Sequence, residues 1–306
     1  MIKPVKKLDF HMCSLFFLIF SIIILGCQSN FQDKNLSESD DTNNITCASE
    51  TRKLTFSGYN WTVRTSDGQL QGPGPNYFSD SSDNVWLDDD GYLHLKIIKS
   101  DGKWYCAEVY SDLSFGYGSY IFKLSPGFEN LDVNVVVGLF TYLDDENEID
   151  IEFARWGKAN AQNGQFVVQP YSNIGNLFRF NMPEKEQKSI HSFTWCKEYI
   201  KFWSAWGSNI NYKPKDLISK WFYTGNDNPK PSTERVHINL WLMEGLAPTD
   251  AKEAEIVIKE FEFLPSNCDD PIPLPLWVFW TLISTAIIGI SIFTIFIFIR
   301  KRRKPD

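Results

Sequence analysis

The chain has 306 residues, a formal net charge of −8 and 15% aromatic residues. The acidic balance excludes the clustered basic surface by which proteins bind nucleic acid, so no nucleic-acid partner is expected. Once both termini are set aside, one domain of about 220 residues is left, a usual size for a single β sandwich.

The N-terminus has the pattern of an export signal. Lysines within the first seven residues precede an apolar run from Met12 to Leu25, which is shorter than the stretch of about 20 residues that spans a bilayer. The run leads into Cys27 through a segment that resembles the lipobox of bacterial lipoproteins. Residues 1–27 are therefore predicted to be either a signal peptide or a lipoprotein signal with lipid on Cys27. Residues 28–53 are polar and form a predicted linker.

Strand-like segments recur through the predicted domain at residues 54–264. They are short, rich in β-branched and aromatic residues, and separated by Gly, Asn, Asp or Pro. Helical periodicity is nearly absent, although residues 215–221 suggest one short helical turn. The pattern predicts an all-β fold, an antiparallel two-sheet sandwich or jelly roll. The predicted strands are Leu93–Ile98, Trp104–Tyr110, Gly118–Leu124, Val133–Tyr142, Glu148–Phe153, Gln165–Gln169, Ser192–Trp195, Tyr199–Trp203, Val236–Leu242 and Glu255–Phe263.

The most informative segment is Glu148-Ile149-Asp150-Ile151-Glu152. Side chains of a strand alternate between its faces, so the three carboxyls share one face and the isoleucines share a core face. Like charges side by side repel, and burial removes their water. If the acids share a proton, the pKa of at least one of them is raised. One carboxyl is then ionised and another protonated, as the nucleophile and the general acid of a retaining glycosidase must be. An acidic edge strand or a calcium-binding patch is the alternative.

Other strands offer walls for such a site. Asn239 and Trp241 alternate onto one face of their strand, where Asn suits sugar hydroxyls and Trp suits a sugar ring. Phe140 and Tyr142 alternate in the same way on the strand before the acids. Large side chains that are simply half buried are the alternative for these positions. Glu108 is a charge within an apolar strand and therefore needs a partner or a ligand.

The C-terminus has the pattern of a membrane anchor. Residues 265–275 are rich in proline and form a second predicted linker. Residues 276–299 are uncharged and long enough to span a bilayer, and a basic tail follows at residues 300–306. Because positive residues stay on the cytoplasmic side, both termini are predicted to be inside and the domain outside. The chain is therefore expected at the cell surface, with the membrane as a partner.

Export would allow the cysteines of the chain to form disulfides. Cys47, Cys106, Cys196 and Cys268 would form up to two disulfides outside the cell, with three connectivities open. Cys47 with Cys268 is favoured, because these two bracket the domain. No His and Cys residues of the sequence fall at the spacing of a zinc site.

Several motifs occur in an order that matches a known family. They are Phe115-Gly116-Tyr117-Gly118-Ser119-Tyr120, Gly138-Leu139-Phe140-Thr141-Tyr142, Asn147 to Phe153, His191 to Trp195 and Ile238-Asn239-Leu240-Trp241. Together they resemble glycoside hydrolase family 16, which includes lichenases, over nearly all of residues 54–264. The resemblance implies a concanavalin-like β jelly roll with two curved sheets and an active cleft on the concave face.

The resemblance also implies roles for single residues. Glu148 would be the nucleophile, Glu152 the general acid and base, and Asp150 the assisting acid. Glu108 lies in a Cys-Ala-Glu segment whose glutamate contacts glucan in lichenase-like members. The further positions that match cleft-lining, substrate-binding residues are Phe140, Tyr142, Tyr171, Asn239 and Trp241.

The implied substrate is a β-glucan, 1,3-1,4- or 1,3-linked, cut by an endo-acting enzyme. One residue between successive acids resembles the lichenase and xyloglucan-active branches. Glu146, Asn147 and Tyr110 depart from the lichenase pattern, so the preferred linkage stays open. A transglycosylase on the same site and a carbohydrate-binding surface lectin are the alternatives.

Neither the chemistry nor the resemblance requires a cofactor. A structural calcium is often bound in this family, and Asp67, Asp83 and Asp269 are possible ligands among many oxygen-rich loops. The protein is expected to be a monomer that binds a polysaccharide.

Overall fold

The structure, a computed structural model, describes residues 51–265 and Cys268. The predicted signal at residues 1–27, the membrane helix at 276–299 and the basic tail at 300–306 lie outside the described residues, as do most of the two predicted linkers. Within the described part, no helix is long and apolar enough to cross a membrane.

Residues 51–265 form sixteen β-strands and three short 3₁₀ helices. The strands are β1 (Lys53–Phe56), β2 (Tyr59–Val63), β3 (Tyr77–Phe78), β4 (Val85–Leu87), β5 (Leu93–Ser100), β6 (Lys103–Ser111), β7 (Gly118–Leu124), β8 (Val135–Asp144), β9 (Asn147–Phe153), β10 (Gly164–Val168), β11 (Leu177–Phe180), β12 (Ser189–Trp195), β13 (Ile200–Trp206), β14 (Leu217–Tyr223), β15 (Arg235–Leu242) and β16 (Ala254–Pro265). The 3₁₀ helices are Phe128–Asn130, Pro214–Asp216 and Met243–Gly245.

The strands form two sheets. The first has the order β11-β10-β9-β8-β15-β6-β2-β1, and the second has the order β4-β5-β16-β7-β12-β13-β14. Pairing between β5 and β6 joins the two sheets, and the short β3 lies parallel to β6. The other pairings are antiparallel. Many neighbours, such as β8 with β15, are far apart in sequence, so the sheets assemble through long connections, as in a jelly roll.

Aromatic side chains from both sheets meet in the core. Phe166 of β10 in the first sheet stacks on Phe202 of β13 in the second, with ring centroids 5.2 Å apart. Phe202 also contacts Phe193 of β12. Burying each such side chain stabilises the folded state by roughly 1.5–3 kcal/mol relative to leaving it exposed. The apolar residues of each inner face thus hold the two sheets together.

The predicted all-β antiparallel sandwich is confirmed, but the helical turn predicted at residues 215–221 is wrong. Leu217–Tyr223 is strand β14, and the chain turns as a 3₁₀ helix just before it, at Pro214–Asp216. Trp221 explains the difference, because its ring stacks on Phe202 at 5.2 Å and on Phe178 at 6.0 Å. These contacts between distant residues override a weak local preference.

The favoured disulfide is also wrong. Cys268 pairs with Cys196 rather than with Cys47. The register of the second sheet brings the two cysteines together, because Pro265 at the end of β16 pairs with Gly118, which pairs with Trp195. Cys106 is a buried free thiol beside Asn76.

Candidate active site

The three acids of β9 lie on one face of the first sheet. β9 is paired on both sides, with β8 and with β10. Ile149 and Ile151 belong to the buried core, so Glu148, Asp150 and Glu152 point the other way, onto what we call the outer face. Acidic and apolar side chains therefore alternate between the two faces of β9, as predicted, and all three carboxyls lie on one surface.

The acids are packed tightly and interact. Burial, and then the charges of the two neighbouring glutamates, raise the pKa of Asp150 well above its usual range. Burial raises the pKa of Glu148 to about 8, with the charge of Glu152 adding to the effect. Burial likewise raises the pKa of Glu152 to about 7. Near neutral pH the cluster therefore retains protons that isolated carboxyls would have lost.

Two amides and one internal contact order this cluster. Gln165 on β10 donates from Nε2 to Oε2 of Glu152 at 2.6 Å, and Gln169 donates from Nε2 to Oδ2 of Asp150 at 3.4 Å. A hydrogen bond between Asp150 and Glu148 raises the pKa of Asp150 and lowers that of Glu148. A protonated Asp150 that donates to an ionised Glu148 accounts for both directions.

Arg179 provides a positive charge on the Glu152 side of the cluster. It pairs with Gln165 across β10 and β11, and Gln165 pairs with Glu152 across β10 and β9. Burial raises the pKa of Glu152, and the Gln165 hydrogen bond and then the charge of the exposed Arg179 lower it without outweighing burial. Glu152 thus lies between an amide donor and a cation, both of which favour its ionised form.

Glu108 also lies on the outer face, where it pairs with Asn239 across β6 and β15. It is 2% exposed. Its Oε2 accepts a hydrogen bond from Nη1 of Arg64 at 2.7 Å, and its Oε1 lies 2.9 Å from Nδ1 of His237. Burial opposes the ionisation of Glu108, but the His237 and Arg64 contacts outweigh it and hold the pKa of the carboxyl below its usual range.

Aromatic rings surround His237. The imidazole stacks on Tyr110 at 5.3 Å and on Phe140 at 5.0 Å, between ring centroids. Tyr142 meets it edge-on at 5.7 Å, and the Tyr142 hydroxyl donates to Asp145 at 2.9 Å. Phe140 and Tyr142, predicted to line a cleft, therefore lie on the same face as the acids. Phe140 pairs with Asp150 and Tyr142 pairs with Glu148 on the neighbouring strand.

Asn239 and Trp241 follow His237 on the same face of β15. Asn239 is buried, and its Oδ1 has no hydrogen-bond partner within the part of the chain that the structure describes. It pairs with Gly138, which in turn pairs with Glu152. Trp241 is half-buried and packs against the core cluster. Asn239 is thus brought close to Glu152 across a residue that has no side chain.

Gly138 is needed at this place. A Cβ atom built on Gly138 would overlap Oδ1 of Asn239 and lie 3.3 Å from Phe140. Gly138→Ala is therefore expected to displace Asn239. If the acids are catalytic, activity should fall between about 10- and 100-fold, because small displacements near a reacting group are costly. Steady-state kinetics on a cleaved substrate would measure the loss.

A double variant serves as the control for this prediction. If the methyl group acts by displacing Asn239, Gly138→Ala combined with Asn239→Ala should be no less active than Asn239→Ala alone. A full additional loss in the double variant would contradict the explanation.

Tyr171 is placed apart from the other predicted binding residues. It lies in the loop between β10 and β11 and is 64% exposed. Its N–H donates to Oε1 of Gln169, whose own N–H donates to the Glu148 carbonyl. The loop therefore starts beside the acids, but no contact joins the Tyr171 ring to the outer face within the described residues.

Trp156 is a site residue that the sequence did not indicate. It follows β9 with a φ of 52°, a left-handed conformation that costs energy for a large side chain. Its ring meets Trp241 at 6.5 Å, and the Arg179 guanidinium lies 5.9 Å from it. Trp156 thus forms an aromatic end wall on the Glu152 side. No local pattern marks it, because a turn places it there.

Among the described residues, no group of three or more His, Cys, Asp or Glu side chains is arranged to hold a metal ion. Asp67 and Asp83 are exposed in separate loops, and Asp269 lies outside the described residues. Calcium binding therefore stays a prediction.

Solved structures of similar fold include two glucanases. One is a β-glucanase from Bacillus licheniformis, 20% identical, with a TM-score of 0.50 over 72% of this chain and 100% of that one. Another is a β-1,3-glucanase from Mycobacterium marinum, 18% identical, with a TM-score of 0.51 over 67% and 90%. A glycosyl hydrolase family 16 protein from Mycobacterium smegmatis is 17% identical, with a TM-score of 0.52 over 67% and 91%.

No protein-family model and no curated protein matches the chain. At identities this low, the likeness to solved structures establishes the fold. The described residues form an all-β sandwich of the kind found in these glycosyl hydrolases, with three coupled carboxyls on the outer face of one sheet.

Proposed function

We propose that the chain belongs to glycoside hydrolase family 16 and is an endo-acting, retaining hydrolase of a 1,3-1,4- or 1,3-linked β-glucan. The observation that carries the proposal is the cluster of Glu148, Asp150 and Glu152, which share one face and hold raised, coupled pKa values. Carboxyls kept partly protonated near neutral pH supply what double displacement needs, a nucleophile and a general acid.

The first step forms a covalent bond between sugar and enzyme. Glu148 attacks the anomeric carbon in its ionised form, while Asp150 and Glu152 hold protons of the cluster. Glu152 gives its proton to the glycosidic oxygen, whose bond to the anomeric carbon breaks. In the second step, ionised Glu152 takes a proton from water, and the water oxygen displaces Glu148. Gln165 and Arg179 stabilise the charge that Glu152 carries between the steps.

The location of the proton depends on the substrate. In the free protein burial raises the pKa of Glu148 to about 8 and that of Glu152 to about 7, and it raises the pKa of Asp150 well above its usual range, so near neutral pH all three carboxyls compete for protons. The three neighbouring carboxyls share these protons. A glycosidic oxygen beside Glu152 would draw one of them to that residue. The assignment of Glu148 as nucleophile relies on its contact with Asp150 and on the family resemblance.

A digestion panel tests this proposal. The full-length chain would be incubated with mixed-linkage β-1,3-1,4-glucan, β-1,3-glucan and xyloglucan, with a mannan as a control. We expect short oligosaccharides from at least one glucan, and NMR spectra taken early in the reaction should show new reducing ends in the β configuration. New ends that first appear as α anomers would contradict the retaining mechanism. Tight binding without products would favour a surface lectin.

We further propose that the domain lies outside the cell, tethered to the membrane by residues 276–299. The disulfide between Cys196 and Cys268 supports this location, because such bonds persist in oxidising compartments and are rare in reducing ones. A polymeric substrate too large to enter the cell would be met there.

A further inference from the structure

Glu108 is fully used by its protein neighbours. One carboxylate oxygen is bonded to Arg64 and the other to His237, and the side chain is buried. Both contacts are charge-assisted hydrogen bonds, which are among the stronger ones in proteins. Glu108 is therefore arranged to hold the Arg64 and His237 side chains in place.

His237 is the group that Glu108 holds toward the open face. Its ring is stacked between Tyr110 and Phe140, so it cannot turn freely. Nδ1 is occupied by Glu108. Nε2 has no hydrogen-bond partner among residues 51–265. It is not buried either, because it is absent from the set of buried side-chain atoms that lack a partner. The edge of the ring that carries Nε2 therefore reaches solvent.

His237 stands close to the acids on the same surface. It pairs with Phe140 across β15 and β8, and Phe140 pairs with Asp150 across β8 and β9. Two strand spacings separate His237 from Asp150, roughly 10 Å between backbones. A polymer that places one sugar over the acids would extend its neighbouring units over His237.

We propose that His237 binds a hydroxyl group of the polysaccharide through Nε2, and that Glu108 is a positioning residue that fixes the imidazole. The inference rests on the proposed function. An ionised Glu108 selects the tautomer in which Nδ1 carries the hydrogen and donates it, which leaves Nε2 as an acceptor for a sugar O–H. A site built around one acceptor selects a sugar with a hydroxyl at that position over its deoxy analogue.

Two substitutions of His237 separate the acceptor from the packing. His237→Phe keeps a flat ring between Tyr110 and Phe140 but has no Nε2, so we expect KM for the cleaved glucan to rise about tenfold, with a smaller change in kcat. His237→Gln retains both a donor toward Glu108 and an acceptor, and it should recover most of the loss. Glu108→Gln should raise KM as well, and adding it to His237→Phe should have little further effect.

Imidazole NMR gives a readout that does not depend on turnover. The sequence has four histidines, so their ring nitrogens can be resolved. In a Glu148→Gln background, an oligosaccharide from the preferred glucan should shift the Nε2 resonance of His237 and leave those of His94 and buried His191 unchanged. An unshifted His237 in the presence of saturating oligosaccharide would overturn the inference.

The outcomes distinguish this inference from the proposed function. If glucan is cleaved but His237→Phe leaves KM unchanged, or Glu108→Gln raises KM independently of His237, the inference fails and the hydrolase proposal stands. If no glycan is cleaved or bound, both fail together.

Discussion

Glu148→Ala and Glu152→Ala are both expected to lower hydrolysis of the preferred glucan by at least about a thousandfold, and added azide should restore activity to each with a different product. Without Glu148, azide would attack the anomeric carbon directly and give an α-glycosyl azide. Without Glu152, a substrate with a good leaving group would still form the covalent bond to Glu148, and azide would then give a β-glycosyl azide. Product NMR therefore assigns each role.

The amide variants provide the matched control. Glu148→Gln and Glu152→Gln keep the shape of each side chain, so circular dichroism should show an unchanged fold while activity is lost. Asp150→Asn keeps a donor for Glu148 and is expected to retain more activity than either glutamine variant. Near-native activity in Glu148→Gln or Glu152→Gln would refute the proposed catalytic roles. If Glu148→Ala gave the β-glycosyl azide and Glu152→Ala the α-glycosyl azide, the roles of the two glutamates would be exchanged.

Local patterns were sufficient for part of this site. Alternation along β9 predicted that Glu148 and Asp150 share a face opposite Ile149, and alternation on β8 and β15 predicted which side chains share a face. Period-two patterning is a property of a single strand, so it needs no knowledge of the strand's neighbours. The all-β fold could be predicted for the same reason.

The partners of these side chains could not be predicted in this way. Glu108 was recognised as a buried charge in need of a partner, but its partners Arg64 and His237 lie 44 and 129 residues away in the sequence. The register between β10 and its neighbours places Gln165 and Arg179 beside Glu152. Pairing register depends on the assembled sheet, and a single sequence does not reveal it.

The protonation of the acid cluster has a consequence for stability. In the folded chain burial raises the pKa of Glu148 to about 8 and that of Glu152 to about 7, and it raises the pKa of Asp150 well above its usual range. Between the ordinary carboxyl range and pH 8, the folded state therefore binds more protons than the unfolded state. Folding stability falls as pH rises through this window, because the unfolded chain ionises freely.

Replacing a member of the cluster by its amide should relieve this cost. At pH 8, Glu148→Gln is expected to raise the free energy of unfolding by on the order of a few kcal/mol relative to the native chain, and Asp150→Asn is expected to raise it as well. Both advantages should vanish near pH 4. Urea unfolding of the full-length chain at a series of pH values would measure it. The quantity to compare is the difference in unfolding free energy between variant and native chain. Carboxyls with lowered pKa values, such as Glu108 and Asp112, make folding more stable as pH rises, and they do so equally in both chains.

A surface carboxyl supplies the control for that comparison. Glu146→Gln changes the same charge on the exposed hairpin between β8 and β9, and it should leave the pH profile of stability close to that of the native chain. If Glu148→Gln gained no stability at pH 8, or gained as much at pH 4, the carboxyl would not be held protonated by burial. The cluster would then lack the shared proton on which the proposed mechanism depends. A gain confined to high pH, together with lost hydrolysis, would show that the fold maintains an unfavourable cluster because catalysis requires it.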